Sequence, residues 1–332
     1  MTAPRLGSDR GFSLPELLIA VTLLLMISAT VTSALLQMTN SQKTIWNRTQ
    51  LHAGVRSATE LLQQEVGQAG RIALPGTPTL TAAAAVNATT ATVSSTVGMF
   101  AGERLIVEPG SNEETVQVSA VNSATQITIS RSVDATDTTI QTSFAKAHPV
   151  GSVFRVLGGF ASGIVPPSPG YTNGSTGWTL KLYGDLNGDG SMVYVEYSCD
   201  PLPVSGIATA AAPGTGNLYR NVMAFDQATA KLAPTSSQIL LGSVANTAAT
   251  PCFTYMPNPQ PVVNGNTYVL DVAITLTVQT QSKDPITKQY QTETKALLNV
   301  SPRNVFNVWQ LASSGTHNRV QPIPPTVTAL LP

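Results

Sequence analysis

Near its start the chain has an uncharged, mostly hydrophobic run of twenty residues, from Leu17 to Leu36. As a helix rising about 1.5 Å per residue, this run matches the roughly 30 Å hydrocarbon core of a bilayer. Threonine and serine residues within the run lower its hydropathy, so the segment is an adequate membrane span and not a strong one. The pattern predicts a transmembrane helix over about residues 14–37.

Beyond this run, the apolar positions change to steps of three and four, as on one face of an amphipathic helix. The positions concerned are Leu51, Val55, Ala58, Leu62, Val66 and Ala69. No proline occurs between Pro15 and Pro75, and Gly70 followed by Pro75 is typical of a helix end. The two patterns together predict one long helix over residues 12–73, with a membrane half and an amphipathic half.

From residue 77 onwards the hydrophobic positions mostly alternate, which is typical of β-strands. Residues 77–157 predict a small all-β unit inserted after the helix, and residues 158–310 predict an antiparallel β-sheet head. The clearest alternation is at Leu270, Val272, Ile274, Leu276 and Val278. Residues 311–332 contain four prolines, which favour a disordered tail. The predicted fold class is therefore α+β, with the long helix packed on the antiparallel head.

Composition adds two constraints. Charged residues make up only 11% of the chain and the formal net charge is zero, so no basic surface for nucleic acid is predicted. The two cysteines, Cys199 and Cys252, both follow the predicted membrane span. Outside the cytoplasm a disulfide between them can persist, and the alternative is a pair of buried free thiols.

An acidic residue, Glu16, lies at the entry to the predicted span. An unpaired carboxylate at the centre of a bilayer costs about 2.5 kcal/mol or more, so a partner is expected. A cut after Gly11 would supply one, because Phe12 would then carry a free α-amino group close to Glu16. The sequence Gly11-Phe12-Ser13-Leu14-Pro15-Glu16, followed by the apolar run, resembles the N-terminus of type IV prepilins and pseudopilins.

This resemblance implies cleavage between Gly11 and Phe12 by a prepilin peptidase, which removes the leader 1–11, and N-methylation of Phe12. It implies that Glu16 neutralises an N-terminal amine, its own or a neighbour's, during filament assembly. The chain would lie in the inner membrane with its head in the periplasm, and would then join other pilins in a filament at the cell surface. An uncleaved signal anchor, or a secretory signal cleaved near Thr32-Ser33-Ala34, are the alternatives without a filament.

The end of the predicted helix narrows the resemblance. Leu62-x-x-Glu65-x-x-x-Ala69-Gly70 is similar to the helix end of PilW-like minor pilins and J-type pseudopilins, and Arg303-Asn304 is similar to an ending common in the family. These features favour a PilW-like minor pilin that primes or caps a type IV pilus. The alternatives are a J-type pseudopilin of a type II secretion system, and a membrane-anchored or secreted β-rich adhesion protein.

One loop has the spacing of a calcium site. Asp185, Asn187 and Asp189 alternate before Gly190, and Glu196 follows, as in Asp-x-Asn-x-Asp-Gly-x5-Glu calcium loops. Because the flanking residues predict β-strands, Glu196 is the weakest of the four candidate ligands. A hairpin turn rich in Asn-Gly and Asp-Gly explains the same residues without a metal.

No catalytic constellation is predicted. The three histidines, His52, His148 and His317, are too scattered in the sequence for a triad or a zinc site. The sequence has no P-loop and no Cys-x-x-Cys motif. We therefore expect a structural protein and not an enzyme.

Overall fold

The computed structural model describes residues 13–130, 143–200, 215–226, 231 and 235–332. The chain begins with one long helix, α1 (Leu14–Gln68), of 55 residues, which is about 82 Å at 1.5 Å per residue. It ends at Gln68 and not at residue 73, because Ala69 leaves the helical conformation and Gly70 has a positive φ of 80°. The single long helix predicted from the spacing of apolar residues is present.

The two halves of α1 have different surroundings. In the first half, large apolar side chains between Leu14 and Met38 are exposed, because no other part of the described chain packs against them. The second half is buried on one face, at Val55, Ala58, Leu62 and Val66. This face packs on the head sheet, as the steps of three and four predict.

The all-β unit follows the helix. Its strands are β1 (Thr90–Thr92), β2 (Arg104–Val107), β3 (Glu114–Ser123), β4 (Gln126–Ile129) and β5 (Phe154–Arg155). They form an antiparallel sheet in the order β1-β4-β3-β2-β5. The segment 79–80 pairs with Val153 beside β5 and with Val93 beside β1, which closes the sheet into a small barrel. Its interior is filled by apolar side chains that include Leu105, Phe144 and Phe154.

The head sheet is built from later strands. Its members are β7 (Thr179–Gly184), β8 (Val193–Asp200), β9 (Gly216–Ala224), β10 (Ile239–Val244), β11 (Phe253–Met256), β14 (Asp271–Gln279) and β15 (Thr292–Val300). Short strands before and within it are β6 (Gly159–Phe160), β12 (Val262–Val263) and β13 (Asn266–Thr267). The sheet order is β11-β14-β10-β9-β8-β7, with β15 paired to β14, and every pairing is antiparallel.

Most of the head sheet, apart from β15, is covered on both faces. Its inner face contributes Leu180, Val195 and Ile274 to a core that the amphipathic half of α1 completes. Its outer face contributes Tyr183 and Tyr194 to a second core. The sheet also curls, since Phe253 N–H at the start of β11 donates to Gly177 O, just before β7, at 3.0 Å.

The last part of the chain is ordered, and the predicted disordered tail over 311–332 is wrong. It forms α2 (Arg303–Ser313), β16 (Val320–Gln321), which pairs in parallel with β6, and α3 (Pro325–Leu330). Val327, Leu330 and Leu331 are buried in the outer core. The prolines do not prevent this, because Pro325 occupies the first turn of α3, where a missing N–H is tolerated. The head therefore continues past the predicted boundary at residue 310.

A disulfide joins Cys199 at the end of β8 to Cys252 just before β11. Both residues are buried in the inner core, and their Cα atoms are 6.4 Å apart. Because β8 and β11 are not neighbours in the sheet order, the bond crosses the curled sheet. It links parts of the head that are separated by 53 positions in the sequence.

Replacing both cysteines by serine should lower the free energy of unfolding by about 2–4 kcal/mol, because a loop of this length loses its closure in the unfolded chain. Urea unfolding of the full chain in detergent, followed by tryptophan fluorescence, measures the change. Reduction of the unaltered protein should shift its midpoint in the same direction. An unchanged midpoint in both experiments would contradict a stabilising bond.

Candidate functional site

The membrane half of α1 exposes apolar side chains on all sides. Leu14 is 74% exposed and Met26 is 66% exposed, and no residue in the most apolar 18-residue window of the helix, with a mean hydropathy of 2.2, is buried. This single helix is long and apolar enough to cross a membrane. A surface of this size and polarity needs lipid or other protein around it.

Glu16 is held at the beginning of this helix by a capping box. The N–H of Ser13 donates to Glu16 Oε2 at 3.1 Å, and the N–H of Glu16 donates to Ser13 Oγ at 3.4 Å. Pro15 lies in the first turn, where its missing N–H costs no helical bond. The carboxylate is therefore turned back towards the residue that precedes Ser13. The predicted cleavage site, Gly11 and Phe12, lies outside the described residues.

The other end of α1 is fixed to the head by a buried carboxylate. Glu65 is only 3% exposed, and it accepts hydrogen bonds from Tyr197 Oη at 2.6 Å and from Arg220 Nε at 3.0 Å. Tyr197 comes from β8 and Arg220 from β9. Together these three residues, named here the junction triad, connect the helix to the middle of the sheet.

The contact with Glu65 favours the charged form of Arg220. Burial alone would lower the pKa of Arg220, but the hydrogen bond and charge of Glu65 raise it overall. Burial, then the charge of Glu65, raise the pKa of Tyr197, so its hydroxyl stays protonated and donates to Glu65. A carboxylate so placed has its desolvation offset by a cation and a second donor.

The chain leaves the helix through a position that only glycine fits. Gly70 N–H donates to Tyr183 O at 2.9 Å, and Gly70 O accepts from Phe160 N–H at 2.9 Å. At its φ of 80°, a Cβ would lie 2.8 Å from Val305 Cγ2. The pattern Leu62-x-x-Glu65-x-x-x-Ala69-Gly70 thus has a physical basis here, because Leu62 and Ala69 are core residues as well.

The acidic loop after β7 binds the helix exit. Asp185 is fully buried, and its carboxylate accepts N–H donors from Asp189 at 3.1 Å and Gly190 at 3.3 Å and lies 3.4 Å from Arg71 Nε. Asp185 N–H also donates to Arg71 O at 2.9 Å. The guanidinium of Arg71 and two backbone amides therefore occupy the oxygens that a calcium ion would need.

The predicted four-residue calcium set does not fit. Glu196 lies on β8, where it accepts from Tyr194 Oη at 3.0 Å and pairs with Lys231 Nζ at 2.8 Å. Asp189 accepts from the N–H of Ser191 at 2.8 Å, and Asn187 is exposed. Within the part of the chain that the structure describes, no group of three His, Cys, Asp or Glu side chains is placed to hold a metal. The loop instead connects β7 to β8 and bonds to Arg71, which agrees with the alternative interpretation of a hairpin turn without a metal.

Sequence reasoning missed two basic residues that bind acids across the fold. One is half-buried Arg220, which lies 155 positions from its partner Glu65. The other is His148 in the barrel, whose ring nitrogens lie 2.7 Å from Glu108 and 2.7 Å from Glu114. The hydrogen bond from His148 lowers the pKa of Glu108. Neither pairing has a signal in local spacing, since the partners meet only when strands assemble.

Comparison with protein-family models, with characterised proteins and with solved structures finds no match for the chain.

Replacing Arg220 by alanine should lower the free energy of unfolding by about 3 kcal/mol, because Glu65 would remain buried without its cation. Urea unfolding of the full chain in detergent measures the loss. The matched control is Arg56→Ala, which breaks an exposed pair with Glu60 one turn away on the same helix and should cost less than about 0.5 kcal/mol. Equal costs for the two variants would refute a special role for the junction triad.

Replacing Asp185 by alanine should cost about 1–3 kcal/mol, because two amides and Arg71 lose their acceptor. Calcium or a chelator should leave the melting temperature of the unaltered protein where it is. Asn187→Ala serves as the control, and its melting temperature should match that of the parent. If calcium raises the melting temperature of the parent and not that of Asp185→Ala, the loop holds a metal after all.

Proposed function

We propose that this chain is a PilW-like minor pilin, which primes or caps a type IV pilus by packing its N-terminal helix against those of neighbouring subunits. The observation that carries the proposal is the combination of Glu16, capped at the start of α1, with an apolar helix half that the head leaves uncovered. A plain membrane anchor needs the apolar helix half but does not need Glu16.

The capping geometry suits the chemistry of a processed N-terminus. Cleavage after Gly11 would place a cationic amine on Phe12, the residue directly before Ser13. Glu16 already binds the N–H of Ser13 at 3.1 Å, so its carboxylate is directed towards that end of the helix. An ammonium group there would neutralise a carboxylate that otherwise costs about 2.5 kcal/mol or more at the bilayer centre. In a filament, the amine of a neighbouring subunit would serve equally.

The membrane half of α1 fits both environments that a pilin must occupy. Two of its hydroxyl groups are satisfied within the helix, since Thr22 Oγ1 donates to Ile19 O at 2.9 Å and Thr30 Oγ1 donates to Ile27 O at 2.8 Å. The remaining surface is apolar on all sides, which suits lipid tails before assembly and other helices afterwards. Inner membrane, prepilin peptidase and fellow pilins are the partners that this function requires.

The junction triad supports a role in assembly. It fixes the amphipathic half of α1 to the sheet, so the position of the head follows from the packing of the helix. A rigid connection of this kind would place the head at a defined site at the end of a filament. The head would be periplasmic before assembly and at the cell surface afterwards.

Mass spectrometry of the mature N-terminal peptide from host membranes tests the proposal first. We expect an N-methylated Phe12 as the first residue. A start at Met1 would mean an uncleaved anchor, and a start near Leu35 would mean a secreted protein. Either result would overturn the proposal.

Replacing Glu16 by valine should reduce recovery of the chain in sheared filaments at least tenfold while leaving its amount in the membrane unchanged. The reason is that the variant inserts without difficulty but cannot neutralise an N-terminal amine during assembly. The matched control is Glu60→Val, an exposed acid farther along the same helix. Equal incorporation of the Glu16 variant and the parent would contradict a pilin role.

A further inference from the structure

The edge of the head sheet formed by β15 is open. β15 pairs with β14 along one side from Thr292 to Val300, and among the described residues no backbone hydrogen bond reaches its other side. The opposite edge, β7, is covered by residues 163–165, with Val165 N–H donating to Lys181 O at 2.9 Å. A strand edge with free N–H and C=O groups is a template for another strand.

The register shows which groups of β15 point outward. On β14, Thr277 O accepts from Ala245 N–H at 2.8 Å and Thr275 N–H donates to Cys252 O at 2.9 Å, so both residues bond away from β15. Their partners across the pair are Thr294 and Ala296. In an antiparallel pair, two directly opposed residues either bond to each other or both bond away from the pair. Since Thr275 and Thr277 bond away from β15, Ala296 and Thr294 direct their N–H and C=O groups to the open edge.

A groove runs beside this edge. It has a volume of about 470 Å³ and lies between α1, at Gln63, Gln64 and Gly67, and the end of β15, at Asn299. Extended peptides add to sheets at exposed strand edges, and pockets beside the edge receive their alternate side chains. Leu298, which is 70% exposed on β15, adds an apolar side chain to this edge.

The free charges along this edge are positive. Within the described part of the chain, Lys295 and Arg303 are exposed and have no ion-pair partner. Of the nearby acids, Glu60 pairs with Arg56, and Glu293 contacts the ring of His52 on α1. A strand that lies on this edge would meet two unpaired cations, which favours acidic side chains in the partner.

We infer that β15 is an acceptor for an extended, acidic strand of another protein, which adds to the head sheet at Thr294 and Ala296. Backbone hydrogen bonds would supply affinity for any extended strand. The side chains of Lys295, Leu298 and Arg303 would determine which partner sequences bind best. This site is separate from the membrane half of α1, so it does not depend on filament assembly.

The test uses two fluorescent nine-residue peptides, one alternating valine with glutamate and one alternating valine with lysine, titrated against the full chain in detergent micelles. Fluorescence polarisation should show the glutamate peptide binding at least tenfold more tightly. Ala296→Pro, which removes an outward N–H and spares the bonds to β14, should weaken that binding at least tenfold. Ala296→Ser keeps the N–H and should bind as the parent does.

A second variant covers the case in which the proline disturbs the fold, which circular dichroism melting would reveal. Lys295→Glu changes only an exposed side chain and should reverse the preference towards the lysine peptide. The inference fails if the glutamate peptide does not bind, if it binds a folded Ala296→Pro equally, or if Lys295→Glu leaves the preference unchanged. If sedimentation shows that the parent self-associates and that Ala296→Pro does not, the partner of this edge is a second copy of the chain and not an acidic strand of another protein.

Discussion

The buried carboxylate of Glu65 is the interaction on which the arrangement of helix and head depends. It lies on the last turns of α1, beside the face that forms the inner core, and Arg220 and Tyr197 reach it from two adjacent strands. Apolar packing alone would allow a helix to slide along a sheet, because it has little directionality. A buried charge bound to two fixed donors does not permit this, since any shift would leave it unpaired at a cost of several kcal/mol. The inner core buries the apolar face of the helix, and the junction triad sets its register on the sheet.

The exit of the chain from α1 follows from the same constraint. Once the triad fixes the helix end, the next residues must turn between β6, β7 and α2 in very little space. Gly70 makes the turn possible, and Gly163 packs so closely on it that a Cβ there would lie 2.2 Å from Gly70 Cα. Asp185 then holds Arg71 through its backbone and side chain. What resembles a metal loop in the sequence is thus part of the connection that a long, half-uncovered helix needs.

Local spacing in the sequence predicts the long helix and the β-rich character of the region after it, and it fails where distant residues decide the outcome. The helix, its uncovered apolar half and its packed face follow from periodicity within a few turns. The calcium prediction used a spacing that a turn around Arg71 also satisfies, and Glu196 is instead drawn to Lys231. The tail prediction weighed Pro324 and Pro325, whereas order there comes from burying Leu330 and Leu331 against Tyr183 and Tyr194. Contacts of this kind have no local signal.

In the described structure, β15 is an uncovered strand edge, whereas the barrel and the other side of the head sheet have their edges covered. The barrel closes on itself through residues 79–80, the curled head brings β11 to Gly177, and residues 163–165 cover β7. Each closure uses a short segment that satisfies backbone groups at the edge. β15 is among the longer strands, yet no such segment covers it. Lys295, near its centre, is a charged residue of the kind that discourages unwanted pairing. An open edge exposes a protein to unwanted pairing. The chain covers its other edges with a few residues, so an edge left free beside a helix groove is better explained as a surface kept for a partner.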